Sequence, residues 1–283
     1  MSAKVFSAAV VGLDCEIIEV EADTTMALPG ILIVGLPDKA VDESRERVRS
    51  AIKNSGFEMP RSKVTINLAP ADIKKEGPSY DLPIAISTLL TSNQIKFDPF
   101  NKIFVGELAL DGGLRGVSGV LSICLKAKMR GMIELFVPQE NADEASLVSG
   151  LKVYPCENLR QLTHHLSGEK LIEPYVSDIK FVYPSTEYDF AYIKGQHQAK
   201  RALEIAVAGS HNILMSGPPG SGKTILAKSI VSIMPEMTEV ESLEVTKIFS
   251  VCGFLRHQEP LIQGRPFRSP HHTASGVALI GGG

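Results

Sequence analysis

Long apolar runs, clustered cysteines and a strong excess of either charge are all missing from this sequence of 283 residues. No segment reaches about 18 uncharged apolar residues, so no membrane-spanning helix is predicted. The opening "MSAKVFSAAVVGLDCEIIEVEAD" holds a short apolar run before acidic residues arrive, and no signal peptide is read there. Four cysteines, Cys15, Cys124, Cys156 and Cys252, stand far apart without a Cys-x-x-Cys pair. Scattered thiols of this kind fit core and half-exposed positions in a reducing compartment. The expected location is therefore cytoplasmic, with no membrane partner. A formal charge of -3 and a pI of about 6.2 leave no global footprint for nucleic acid. A ring assembly can still concentrate basic charge in a channel that the total hides.

What is present is a globular composition, 44% hydrophobic, 22% charged and poor in aromatics at 6%. The length suits one large domain or two ordinary ones. There is no internal repeat and no low-complexity tract. Residues 3–23 alternate apolar and polar and predict two strands about the "GLD" turn. "GILIVGLP" (30–37) reads as a buried strand, and "DKAVDESRERVRSAIKNSG" (38–56) as a helix with the stripe Ala40, Val41, Val48, Ala51 and Ile52. Strands are expected at 63–70, 102–110, 133–138 and from 151, and helices at 82–90, 119–131 and 141–150. This is a mixed α/β layer able to fold alone over residues 1–168. Residues 169–188 carry two prolines, mixed charge and no period, and read as a linker. A second domain then spans residues 189–283.

"GPPGSGKT" (217–224) fits G-x-x-x-x-G-K-[ST] at every fixed position. An apolar strand, "HNILMS" (211–216), is expected before it and a helix, "TILAKSIVSIM" (224–234), after it. Gly217, Gly220 and Gly222 let the backbone curl so that successive N–H groups, with Pro218, Pro219 and Ser221 between them, converge on phosphate oxygens. Lys223 can reach the β- and γ-phosphates, and the Thr224 hydroxyl can ligate Mg²⁺, so the cofactors implied are ATP and Mg²⁺. Upstream, "IKGQHQAKRALEIAVAG" (193–209) is the first helix of this domain behind an Ile193–Gln196 turn, which in a nucleotide site can also approach the base. Glu239, Glu241 and Glu244 lie in a polar stretch rather than at the end of an apolar strand, so none is nominated to hold Mg²⁺ or activate water. Toward the end, Arg265, Arg268, His271, His272 and Thr273 sit in a Pro-punctuated loop. Adjacent histidines diverge and no carboxylate follows to complete a zinc set. The loop reads either as a structural loop or as one that touches a polyanion or a neighbouring subunit.

These strings carry a resemblance. "VGLPDKAVDESRERVRSAI", "INLAPADIKKEGPSYDLPIA", "FVGELALDGG", "KGQHQAKRALEIAVAGSHNILMSGPPGSGKT" and "RPFRSPHHTAS" together resemble the Mg-chelatase-like AAA+ ATPases of the YifB/ComM type, over essentially the whole chain. The resemblance implies a front domain of the ribosomal protein S5 domain 2-like fold, shared with the proteolytic domain of Lon. It implies that the rear domain is the N-terminal part of a P-loop AAA+ module. It also implies a homo-hexameric ring and, for the ComM branch, DNA branch migration in natural transformation. Ile193–Gln196 then falls where such modules approach adenine. The acidic Mg²⁺ motif, the sensor and the arginine finger are expected beyond residue 283.

The Lon-like fold raises the question of Ser79. "KKEGPSYDLP" and "GELALDGGLRGVSGVL" resemble the segments that carry the Ser–Lys dyad of Lon-type peptidases. Ser79 falls on the serine, but the lysine position holds Leu121, and a serine without a base is a poor nucleophile. Lys74 and Lys75 read as exposed, ordinary lysines, unfit as bases. Tyr80 stands where a small residue is usual. Ser79 or Asp81 is expected to cap the following helix, and no peptidase activity is expected. The leading reading is a P-loop ATPase motor acting on DNA. The alternative is a chelatase-type or protein-remodelling motor, and a third reading is a nucleotide- or DNA-binding module without turnover.

Overall fold

Alternation in the first 25 residues yields a long hairpin. Strands β1 (Ala3–Val11) and β2 (Asp14–Thr25) pair antiparallel, Val5 opposite Val20 and Val11 opposite Asp14. Gly12, at φ +62, takes the left-handed position that a two-residue turn requires. β3 (Gly30–Val34) leads through α1 (Lys39–Asn54) to β4 (Lys63–Ala69), which runs parallel to β3 and antiparallel to β2. Asp38 starts α1 by accepting the Val41 N–H at 2.8 Å, a cap worth about 1 kcal/mol. The buried face of α1 includes Val41, Val48, Ala51 and Ile52, as its period predicts.

The computed structural model describes residues 2–177, 188–255, 259–271 and 273–276. It comprises two units, Met1–Ile179 with Glu244–Leu261, and Lys180–Leu243 with Ile262–Gly283.

In the front unit, α2 (Asp81–Thr91) is buried nearly all round. Next come β5 (Lys102–Phe104), the short pair β6 (Glu107–Leu108) and β7 (Leu114–Arg115), and α3 (Val120–Met129). β8 (Glu134–Pro138), α4 (Ala142–Ser146), β9 (Lys152–Cys156) and α5 (Leu159–Leu166) complete the order. The main sheet runs β3-β4-β2-β1-β5-β8-β9 and is mostly parallel, so the chain is a mixed α/β protein. The expected single strand over 102–110 is broken at Val105–Gly106, because Gly106 turns to donate to the Ser79 carbonyl at 3.0 Å. Register stacks Phe104, Phe136 and Tyr154 across β5, β8 and β9 at 4.9 and 5.0 Å. The His165 ring lies 4.8 Å from Tyr154. Residues past α5 remain on this unit. Ile172 N–H donates to His165 Nδ1 at 2.9 Å, and Tyr175 N–H to the Val153 carbonyl at 2.7 Å.

The rear unit has α6 (His197–Ala208) and α7 (Lys223–Ser229), the latter followed by a 3-10 turn at Ile230–Ile233. Its buried cluster is small, Phe190, Leu203 and Leu226, with Ile193, Met215 and Ile230 packed against it. α8 (Glu239–Val251) forms in the stretch that reads as merely polar, and from Glu244 on it belongs to the front unit. The strand expected over 211–216 does not form. A strand is defined by its ladder, and no strand of the rear unit lies among the described residues to pair with it.

Candidate functional site

Three glycines of the loop 217–224 have positive φ, Gly217 at +157 and two in the left-handed region. Gly220 (φ +78) and Gly222 (φ +87) adopt conformations that L side chains avoid, which bends the chain into α7. The Lys223 ammonium turns back across the loop. It donates to the carbonyls of Gly217 at 2.9 Å and Pro218 at 2.8 Å, and to Ser221 Oγ at 3.3 Å. Ser221 N–H donates to the Pro218 carbonyl at 3.3 Å, which closes the turn over Pro219. Thr224 is exposed, its hydroxyl on the first turn of α7.

The upstream turn comes to the same place. Gln196, left-handed at φ +55, donates from Nε2 to the Ser221 carbonyl at 3.3 Å. Ile193 instead is half-buried against the Phe190 cluster. Phe190 N–H donates to Ser232 Oγ at 2.9 Å, and the Lys200 ammonium lies 5.1 Å from the Phe190 ring centroid. The segment ahead of α6 is thus fixed by packing, and its polar tip meets the loop.

The arginine and histidine run is partly tied down within the rear unit. Arg265 donates to the Pro235 carbonyl at 2.6 Å and pairs with Glu241 at 3.2 Å. The Glu241 carboxyl is held below its ordinary value by the Thr238 N–H first and by Arg265 next. His271 Nδ1 lies 2.7 Å from Thr273 Oγ1. His272 lies outside the described residues.

In the front unit the stretch around Ser79 departs from two expectations. Neither Ser79 nor Asp81 caps α2. Ser79 belongs to a 3-10 turn, Pro78–Tyr80, and the residue ahead of α2 is Tyr80, with no side-chain cap. Asp81 is fully buried and looks inward. Its carboxylate accepts from the Ser44 hydroxyl, from Arg47 Nε at 2.6 Å and from the Leu108 N–H at 3.1 Å. Lys75 is likewise not an exposed lysine. It has no accessible surface, its amine donates to the Pro70 carbonyl, and burial pushes its pKa down. The chain folds Lys75 in because its backbone pairs with Leu36 and Asp38 beside the end of β3, a contact that a local reading does not reveal. Lys74 stays outside, paired with Glu76 at 2.6 Å. Leu121 is buried, and its N–H donates to Glu144 Oε1 at 2.7 Å. Tyr80 lies in the core at 1% exposure. No hydrogen bond joins Ser79 to a lysine among the described residues.

Residues 20–141 match the family described as subunit ChlI of Mg-chelatase, and residues 189–283 the one described as magnesium chelatase, subunit ChlI. The chain is 44% identical over 283 residues to YifB of Escherichia coli K12, covering 99% of this chain and 55% of that protein. It is 42% identical over 286 residues to the competence protein ComM of Haemophilus influenzae, with 99% and 55% covered. A Lon protease of Mycolicibacterium smegmatis is 25% identical over 167 residues, 54% of this chain and 21% of the protease. The chain thus spans about half the length of YifB and ComM. It belongs to the Mg-chelatase-like family that includes YifB and ComM.

Proposed function

We propose that this chain carries the nucleotide-binding half of an AAA+ ATPase motor that acts on DNA as a ring oligomer. One observation supports this most directly: Gln196, Ser221 and Lys223 converge on one loop whose glycines are bent for phosphate. ATP would lie with its phosphates on the N–H groups of 217–224. Lys223 would leave the loop carbonyls for the β- and γ-oxygens, exchanging neutral acceptors for charged ones, which strengthens each bond roughly twofold. Thr224 would supply one oxygen to Mg²⁺, which neutralises phosphate charge when bound. Ile193 and Gln196 form the side on which the base would approach. Turnover would also need an acidic partner for Mg²⁺, a sensor and an arginine finger.

The name of one relative, competence protein, supports DNA as the partner. The front unit is read as a Lon-like, S5 domain 2-like scaffold without peptidase chemistry, because Leu121 offers no amine to Ser79. A protein-directed motor is the second reading. The open face of the front sheet carries Glu19, Glu21 and Asp23, a sign that repels a phosphate backbone.

The test measures ATPase rate in the full-length protein and its Lys223→Ala variant, with and without branched or single-stranded DNA. Strong stimulation by DNA, lost in the variant with at least a hundredfold fall in rate, is the expected result. Turnover that ignores DNA would move the assignment to a protein partner, and turnover that survives in the variant would remove the loop from the mechanism.

A further inference from the structure

The edge of the front sheet opposite the aromatic stack is neither blunted nor covered. β3 is the terminal strand, paired only with β4 among the described residues. Natural edge strands are commonly protected by lysine, proline or a bulge, and the strand "GILIV" has none of these. Ile33 faces the core at 6% exposure, whereas Leu32 and Val34 on the other face are 37% and 38% exposed. Beyond the strand Leu36 is 55% exposed, and Leu28 and Met26, just before it, stand out at 89% and 105%. Isolated apolar residues on a surface mean little, but several exposed ones on and beside an unpaired edge mark an interaction site.

The face of α1 beside this edge says what the partner is. A groove of about 530 Å³ runs between the start of β3 and α1, lined on the helix side by Asp42, Glu43, Arg45, Glu46 and Arg49. Glu43 turns to Arg47 at 3.9 Å, and the other four stand at i, i+3, i+4 and i+7, so they form one row. Within the chain their pairing is slight. Arg45 approaches Asp42 at only 4.0 Å, and Glu46 and Arg49 have no ion pair among the described residues. The order acid, base, acid, base is its own complement when reversed. If α1 meets a copy of itself antiparallel about an axis midway between Arg45 and Glu46, then Asp42 faces Arg49 and Arg45 faces Glu46, each twice. The same two-fold axis sets β3 antiparallel to its copy, so the free N–H and C=O groups of both edges pair. It also joins the two Leu32–Val34 strips on the opposite face of a continuous sheet. Self-complementarity of one patch is what a two-fold interface demands.

We propose that the β3 edge and the Asp42–Arg49 row of α1 form a two-fold interface with a second copy of this chain. This interface is independent of the phosphate site. It makes a specific demand on mutants. Arg45→Glu places acid against Glu46 in both halves of the pair, and Glu46→Arg places base against Arg45. Each variant should repel itself, while one copy of each restores both contacts.

Sedimentation equilibrium of the full chain, without nucleotide, reads this directly. Wild type is expected to self-associate. Arg45→Glu and Glu46→Arg alone should associate at least tenfold more weakly, and their equimolar mixture should recover wild-type association. Leu32→Lys, an exposed position with no core role, should weaken association as well, and it serves as the reading if circular dichroism shows that a helix variant has unfolded. A wild type that stays monomeric, association that none of these substitutions changes, or a mixture that fails to recover would each overturn the proposal.

Discussion

Asp81 shows how one carboxylate can organise a unit. It has no exposed surface and ties its own helix α2 to two other elements, α1 through Ser44 and Arg47 and β6 through Leu108. Arg47 is 21% exposed, so the pair is only partly removed from water. Removing one partner of such a pair costs more than the pair itself contributes, because the other charge is left behind. Asp81→Ala should therefore lower stability by about 3 kcal/mol, read as a shift of the urea midpoint. The sequence shows an acidic residue at a helix start, and the ordinary use of that position is a cap. It does not show that Arg47, 34 residues earlier, lies within 2.6 Å. Lys75 teaches the same lesson. Beside Lys74 it looks like one of two solvated lysines, and only long-range backbone pairing hides it.

At the level of elements, the periodic segments were legible and the exceptions have physical causes. α1, β2 and β4 bury the residues that their periods select, since each has one face on a core, whereas β1 is covered on both faces at Ser7–Ala9. α8 escapes such a reading because three of its buried positions are Ser242, Thr246 and Ser250, hydroxyls spaced four apart where an apolar stripe is sought. The strap after α5 is another element fixed by chemistry rather than period. The His165 Nδ1 accepts the Ile172 N–H, so the ring serves there in its neutral form. Burial, first, and then Lys102 push its pKa down, while Glu134 pulls the other way. A lowered folded-state value favours the neutral ring. Its contribution is complete above the ordinary value of 6.5 and is lost as pH falls from there through the folded-state value. Thermal melting should show the midpoint falling with acidification over that window, and a His165→Phe variant should show a flatter dependence. An identical slope in the variant would remove His165 as its source.

On the scale of the whole molecule, the front unit is completed by residues far along the chain. Glu144, 5% exposed, accepts from the Leu121 N–H and from the hydroxyl of Ser250. The Gly119 N–H meets the Ser250 carbonyl at 3.1 Å, and Lys247 reaches Asp14 at 2.8 Å. Glu144→Ala leaves a buried N–H without a partner and should cost about 1–3 kcal/mol. Combined with Ser250→Ala, the two losses should fall short of their sum by at least about 0.5 kcal/mol in urea titrations, whereas strict additivity would argue that the contact carries no energy. By itself the sequence determined the tight glycine bend at 217–224, because glycine torsions are local properties, and it determined the elements that bury a single periodic face. The tertiary structure alone decided that Lys75 is buried, that Asp81 holds a network, that residues 244–261 join the front unit and that β3 is an open edge. Those depend on which distant groups meet, and the free energy of burying a polar atom is set by the partner it finds rather than by its neighbours in the chain.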